Sequence, residues 1–450
     1  MVIERIINRV HEKREEIVTL LSDLIKIPSM TGEERDAQDF VAKQYKEMGL
    51  DVDVWEPDVK ELFDKFPYIA QYPSHWEHDF ILPYQDLPTY EALVKSNRGD
   101  VLNYINRPNV VGTWKGSGGG RSLILNAHID TVTVAPRQEW THDPFGAEII
   151  DGKIYGRGAS DDKGGVVAGI AAIQCLQTLG ITLRGDVILE SVVNEEHSGN
   201  GTLACIARGY TADAALALEP SENKVRLCGY GCVYWQINIT GRALQSKYRW
   251  EGTELRGVSA NEKLPGIITQ LLQLESDQNK TPINDFYQGK MPFIMNIGMV
   301  RGGTSDTASA GSCSIKGKIH FGPDMGSVNK VMDLFKESVM RAAINDPWLK
   351  EHPPVVEFFH HDDASWIDSE EEIVKTVILA GEKILGQKPE IIAGLGTNDC
   401  RHLINQGKIP SFVFGPGTGG QEHTIDESLK IEDMIVNVKA LAVAIYDWCK

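Results

Sequence analysis

Nowhere does this sequence approach the ~18 consecutive uncharged apolar residues that a membrane span requires, which excludes a transmembrane protein. It also has no CxxC pair. Its seven cysteines, at 175, 205, 228, 232, 313, 400 and 449, are odd in number and scattered, which argues against a disulfide scaffold and a thiolate zinc site. Positive charge is scarce, with 45 Lys and Arg against 63 Asp and Glu. The net charge of −18 repels phosphate backbones and anionic lipid surfaces, so neither nucleic acid nor a membrane is an expected partner. Two glycine-rich stretches, 116–120 and 415–420, lack both GxGxxG spacing between strand and helix and a P-loop lysine, so nucleotide binding is not expected. The opening MVIERIINRVHEKREEIVTLL reads as an amphipathic helix too charged for the apolar centre of a signal peptide, and the expected compartment is the cytoplasm.

What remains is an ordinary globular mixture over 450 residues, 42% hydrophobic and 24% charged, enough for up to three domains or one large α/β unit with an insertion. The first fifty residues read as helix, loop and helix before a strand at 51–55. From 56 to 108 prolines and aromatics crowd together and regular structure is hard to assign. This excursion can pack on itself at the surface or cap a pocket. Strand-like apolar runs follow at 122–127 (SLILNA), 187–193 (VILESVV) and 214–218 (AALAL), with a helix-compatible segment at 164–179, a pattern predicting a mainly parallel sheet covered by helices. Residues 224–362 alternate strand, helix, strand, strand, helix and strand, the order of a ferredoxin-like α+β sandwich. The α/β pattern returns from 363. The expected organisation is therefore a domain of 1–223 plus 363–450, with 224–362 inserted into it.

The chemistry-bearing residues cluster where strands end. His128 and Asp130 lie two apart at the end of an apolar strand, so one can bind a metal and the other orient it; a structural His paired with a carboxylate explains the same two residues. Asp161 and Asp162 sit in a glycine-rich turn before a helix. A helix cap accounts for one of them, and a carboxylate bridging two metal ions accounts for the other. Glu195 and Glu196 directly follow the 187–193 strand and can divide into a metal ligand and a proton acceptor, or form a solvated acidic loop. Glu219 ends another strand, and His423 follows a glycine-rich loop; alone, neither is informative.

In this order the motifs LILNAHIDTV, GRGASDDKGG, NEEHSGNG, ALALEP, GTNDCR and FGPG with the downstream His423 resemble the M20 metallopeptidase family. That group includes acetylornithine deacetylase, succinyl-diaminopimelate desuccinylase, aminoacylase and glutamate carboxypeptidase. The opening LIKIPSMTGEE is similar to this family's as well, and the resemblance covers the chain apart from 56–108. It implies a zinc-peptidase-like catalytic domain with an inserted lid and dimerisation domain, and hence a homodimer. It places one ion on His128, Asp161 and Glu219 and a second on Asp161, Glu196 and His423. Asp130 would orient His128, and Glu195 would be the general base. Imidazole and carboxylate ligands suit Zn²⁺ and also admit Mn²⁺ or Co²⁺. Two such ions against three carboxylates leave enough positive charge to bring a water's pKa down toward roughly 7.

The resemblance implies hydrolysis of an amide-type C–N bond in a small N-acyl, N-formyl or N-carbamoyl compound. The alternatives are a dipeptidase or carboxypeptidase, a hydrolytic deaminase of an aromatic or heteroaromatic amine, and a binding protein that has kept the fold without the chemistry. Two departures bear on the substrate. Gln245 stands where relatives carry a lid histidine, and His320 stands where they carry an arginine for a substrate carboxylate. Together with the aromatic-rich excursion, they point to a flat substrate without that carboxylate, and Asn398 and Arg401 of GTNDCR complete the candidate substrate residues.

Overall fold

The structure, a computed structural model, describes residues 2–67, 69–71, 103–280, 287 and 289–450. Most of the aromatic-rich excursion, at 68 and 72–102, lies outside the described residues, as does the question of whether it caps a pocket.

Strands Leu123–His128 and Val187–Val192 are buried at every position, because helices cover both faces of the sheet they form. Among the described residues that sheet has nine strands. Asp51–Trp55, Asn109–Trp114, Val187–Val192, Leu123–His128, Ala214–Pro220, Ser411–Gly415, Val225–Gly229 and Ser365–Trp366 follow one another in space, and Ile391–Gly394 also pairs with Val225–Gly229. The four central strands, from Val187–Val192 to Ser411–Gly415, run parallel, while Asn109–Trp114 and Val225–Gly229 flank them antiparallel. The sheet is parallel at its centre, as expected, and mixed towards its edges. A physical reason is plain at Val225–Gly229: only four residues separate it from the preceding strand, with Glu222 and Asn223 in the left-handed region, and so short a link reverses the chain. Helix Lys163–Thr178 is rich in Gly and Ala and packs closely on this sheet; a Cβ at Gly169 would press against Leu189 and Leu218.

A second sheet has four antiparallel strands in the spatial order Phe293–Gly302, Ser312–Phe321, Gly231–Thr240 and Val355–Asp362. With helices Leu264–Gln278 and Val328–Ile344 between them in sequence, this is the ferredoxin-like arrangement. Alternation makes its core: Val233, Trp235, Ile237 and Ile239 turn inward against Phe335 and Val339, while Tyr234, Gln236 and Asn238 face the other way. Its first strand begins at Gly231. Val225–Gly229, expected to belong with this unit, hydrogen-bonds instead into the nine-stranded sheet, so the junction anticipated at 223/224 falls ahead of a strand of the larger sheet. The last strand also runs three residues past the apolar VVEFF, through His360 to Asp362, across an irregularity between Phe358 and His360. No helix among the described residues is long and apolar enough to cross a membrane.

Candidate metal centre

Four loops leave the same edge of the sheet because their strands run parallel, and that edge is where open α/β sheets place ligands. His128 is the last residue of its strand, Glu195 and Glu196 follow the end of Val187–Val192, Glu219 is the penultimate residue of Ala214–Pro220, and the loop after Gly415 leads to His423. Asp161 reaches the same place from the turn before helix Lys163–Thr178.

There the side chains form two triads that share one residue. Nε2 of His128 lies 2.9 Å from Oδ1 of Asp161 and 3.8 Å from Oε1 of Glu219. Nε2 of His423 lies 2.8 Å from Oε2 of Glu196 and 3.5 Å from Oδ2 of Asp161. Each triad offers three donor atoms within 4.8 Å of one another, and the two oxygens of Asp161 face different histidines. A carboxylate placed this way can bridge two cations.

Several neighbours hold these groups in place. Nδ1 of His128 is 2.8 Å from the main-chain oxygen of Asp130, which can only accept, so a proton sits on Nδ1; Nε2, facing Oδ1 of Asp161, is the nitrogen that can bind a cation once its own proton has left. This differs from the carboxylate-to-imidazole contact expected of Asp130, whose nearer carboxylate oxygen is 3.7 Å away. The strand ends at His128, so Asp130 turns its carboxylate to other work. It accepts from Thr31 Oγ1 at 2.8 Å and from the backbone N–H groups of Glu195 and Glu196 at 3.0 and 3.3 Å. Asp162 accepts from the His128 N–H at 3.3 Å.

Glu427, not singled out in the sequence, is buried and accepts from the N–H groups of Gly158, Ser160 and Asp161 while pairing with Arg157 at 2.7 Å. It holds the turn that presents Asp161. A contact between Arg107 and Asn194, backed by a buried Arg107–Glu34 pair, does the same for the loop carrying Glu195 and Glu196. Asn194 and His423 both lie in the left-handed region, at φ +66° and +61°, a conformation that costs roughly 1–2 kcal/mol outside glycine and that collects at functional sites.

Burial and the two imidazoles set the electrostatics of the cluster. Burial raises the carboxyl groups of Glu195 and Glu219 well above their ordinary range and Glu196 to about 7. Burial also works against charge on His128 and His423, yet Asp161 and its neighbours hold His128 well above its usual value, and Asp161 and Glu196 raise His423 to about 11. Asp161, pushed upward by burial, ends below the carboxylate range because both histidines bond to it. Two imidazoles with three carboxylates suit Zn²⁺, Mn²⁺ or Co²⁺. The residues fit such ions. A third cluster, Cys232, His360 and Asp362, is different: Nε of Arg401 lies 3.1 Å from Asp362, so that carboxylate already has its cation.

The candidate substrate residues do not converge in the same way. Arg401 is fully enclosed, its guanidinium among carboxylates, and has no surface left to offer a substrate. Asn398 is buried, and its Oδ1 accepts from the N–H of Cys400 at 3.0 Å, bracing the start of a short helix. Gln245 is exposed, bridged to Ala308 in the loops beyond strand Gly231–Thr240. His320 is half-buried opposite Cys232 and is lowered to about 4 by burial and by Lys318, so it stays neutral at pH 7 and offers no carboxylate anchor. Asp399, also missed, accepts from Thr202 Oγ1 and meets Arg401; its signal was its place within GTNDCR.

A model of the peptidase family M20/M25/M40 matches residues 124–447. The chain belongs to this family. Among its M20 relatives is the N-formyl-4-amino-5-aminomethyl-2-methylpyrimidine deformylase of Halalkalibacterium halodurans, 28% identical over all of this chain and 98% of the relative. The protein of the same name from Bacillus subtilis is 31% identical over 77% of this chain and 84% of the relative. The crystal structure of aminopeptidase PepT from Bacillus cereus superposes with a TM-score of 0.68 at 19% identity, covering 97% of this chain and 99% of that one, and so shares the M20 fold.

Proposed function

We propose that this protein is a metal-dependent amidohydrolase that removes a formyl group from the exocyclic aminomethyl nitrogen of a substituted aminopyrimidine, releasing formate and the free amine. The observation that carries the chemistry is the single carboxylate of Asp161 shared between two imidazole–carboxylate triads, with Glu195 in the loop beside them. The printed activity of the two relatives above supports the acyl group and the ring. A neutral His320 offers no cation to a substrate carboxylate, and a pyrimidine formamide has none to be held.

His128, Asp161 and Glu219 would hold one ion and Asp161, Glu196 and His423 the other, most simply Zn²⁺. When bound, such ions polarise a carbonyl and lower the pKa of a water. Glu195 takes the proton of the attacking water on a carboxylate oxygen and passes it to the departing nitrogen, which leaves poorly unless protonated. Asp130, accepting from the N–H groups of both Glu195 and Glu196, keeps the base and the ligand beside each other in fixed order.

The same reading includes a homodimer through the four-stranded sheet, whose edge strand Phe293–Gly302 leaves Met299 and Val300 exposed, and a reducing, cytoplasmic setting, in keeping with seven unpaired, buried cysteines. The test is formate release from N-formyl-4-amino-5-aminomethyl-2-methylpyrimidine by metal-loaded protein. A kcat/KM above ~10⁴ M⁻¹s⁻¹ is expected, with acetylornithine, succinyl-diaminopimelate and N-acetyl amino acids at least ~10²-fold lower. If one of the latter were the better substrate, the formamide reading would be wrong.

A further inference from the structure

Arg401 is among the largest side chains fully enclosed in the molecule, with 1% of its surface exposed. Its guanidinium meets carboxylates from three separate segments. Nε is 3.1 Å from Oδ1 of Asp362, the last residue of the four-stranded sheet, and Nη1 is 3.6 Å from Oδ1 of Asp399 and 3.7 Å from Oε1 of Glu195. Burial alone would depress its charge, but the three carboxylates outweigh that and hold the pKa above its ordinary value. The far partners are themselves anchored. Asp362 accepts from His360 Nε2 at 2.8 Å and Gln71 Nε2 at 3.3 Å, and Asp399 from Thr202 Oγ1. Gly199, in the left-handed region at φ +66°, leaves open the space that a Cβ would take from the guanidinium.

We propose that Arg401 is a positioning residue that aims the Glu195 carboxylate. The main chain of Glu195 is pinned by Asp130, but three side-chain torsions still separate that anchor from the carboxylate that must face the reacting water. With Asp362 at Nε and Asp399 at Nη1, the planar guanidinium is fixed in orientation, and the same Nη1 reaches Glu195, a geometry that an ammonium on a flexible stem does not keep. Because its single charge is divided among three carboxylates, Arg401 directs Glu195 without claiming it as a closed ion pair. Through Asp362 the same contact ties Glu195 to the last strand of the four-stranded sheet.

The inference rests on Glu195 being the general base, and a double-mutant cycle separates the two claims. Arg401→Lys, Glu195→Gln and the double variant are compared for metal content, melting temperature, kcat and KM. Arg401→Lys should keep its metal and lower kcat by ~10- to 10²-fold with KM within ~3-fold, and in the Glu195→Gln background it should change kcat by less than ~3-fold. Asp362→Asn, which removes one anchor and keeps the shape, should show a smaller kcat loss of ~3- to 10-fold that also vanishes in the Glu195→Gln background, and it decides the matter if Arg401→Lys does not fold. Costs that multiply in the double variants, or a rise in KM alone, would overturn the positioning role and leave the base intact. Wild-type rates in Glu195→Gln would overturn the base itself.

Discussion

The two triads of the metal centre share Asp161 but are built differently. His128 and Glu219 come from neighbouring parallel strands, and the His128 side chain is 2% exposed. Glu196 and His423 come from loops, and the His423 side chain is 49% exposed. The first triad is part of the core, so its geometry is fixed by the same packing that makes the sheet. The second is completed by a loop residue in the left-handed region whose imidazole is half exposed. On the reading proposed above, the first triad would hold its ion tightly and the second would exchange it.

The largest effect tests what the triads have in common. Asp161→Asn should weaken both ions and lower kcat/KM by ~10³-fold or more, since several kcal/mol of charge stabilisation depend on them; metal analysis beside the activity assay checks both. Next, Glu195→Gln should lose ~10²–10⁴-fold in rate while keeping both ions, because Glu195 belongs to neither triad. His423→Ala should then sharpen the comparison, giving protein that retains about one ion per chain under conditions where the wild type holds two, read by elemental analysis after dialysis against a weak chelator.

The smallest effect is on pH. Metal-free protein carries protons on His128 and His423, whose values are raised, and these must leave before an ion binds. Ion affinity should therefore rise with pH through the neutral range, with protons released on loading, as shown by calorimetry in buffers of different ionisation enthalpy. Affinity independent of pH would contradict the assignment of these two histidines as metal ligands.

How much of this was legible in the sequence follows from how each residue is held. The candidate ligands at 128 and 196 were legible because strands buried on both faces read as unbroken apolar runs, and each run ends abruptly in such a residue or in the loop that carries it; Glu219 also ends an apolar run but gained meaning only within the ordered set of motifs. The ferredoxin-like unit was legible from alternation in Gly231–Thr240 and from the apolar stripe of Val328–Ile344. The end of strand Val355–Asp362 was not, because the apolar pattern stops at Phe359 and an irregularity intervenes, hiding His360 and Asp362 in what looks like a loop.

Glu427 was invisible for another reason. It holds a turn 266 residues away in the chain through backbone N–H groups, and such contacts leave no trace in side-chain spacing. Arg401 was noticed, but its type pointed outward to a substrate; only the fold shows three carboxylates converging on it. Helix Ile431–Cys449 is hard to read from the sequence, since it is buried on nearly all sides and lacks a strong polar face to reveal its period.

The most direct test of the account is a titration of metal-free protein with Zn²⁺, followed by calorimetry, on the wild type and on His423→Ala. Two ions should bind per wild-type chain in two steps of unequal affinity, with only the weaker step missing in His423→Ala. Saturation of the wild type at one ion, or loss of the tighter step in His423→Ala, would contradict it.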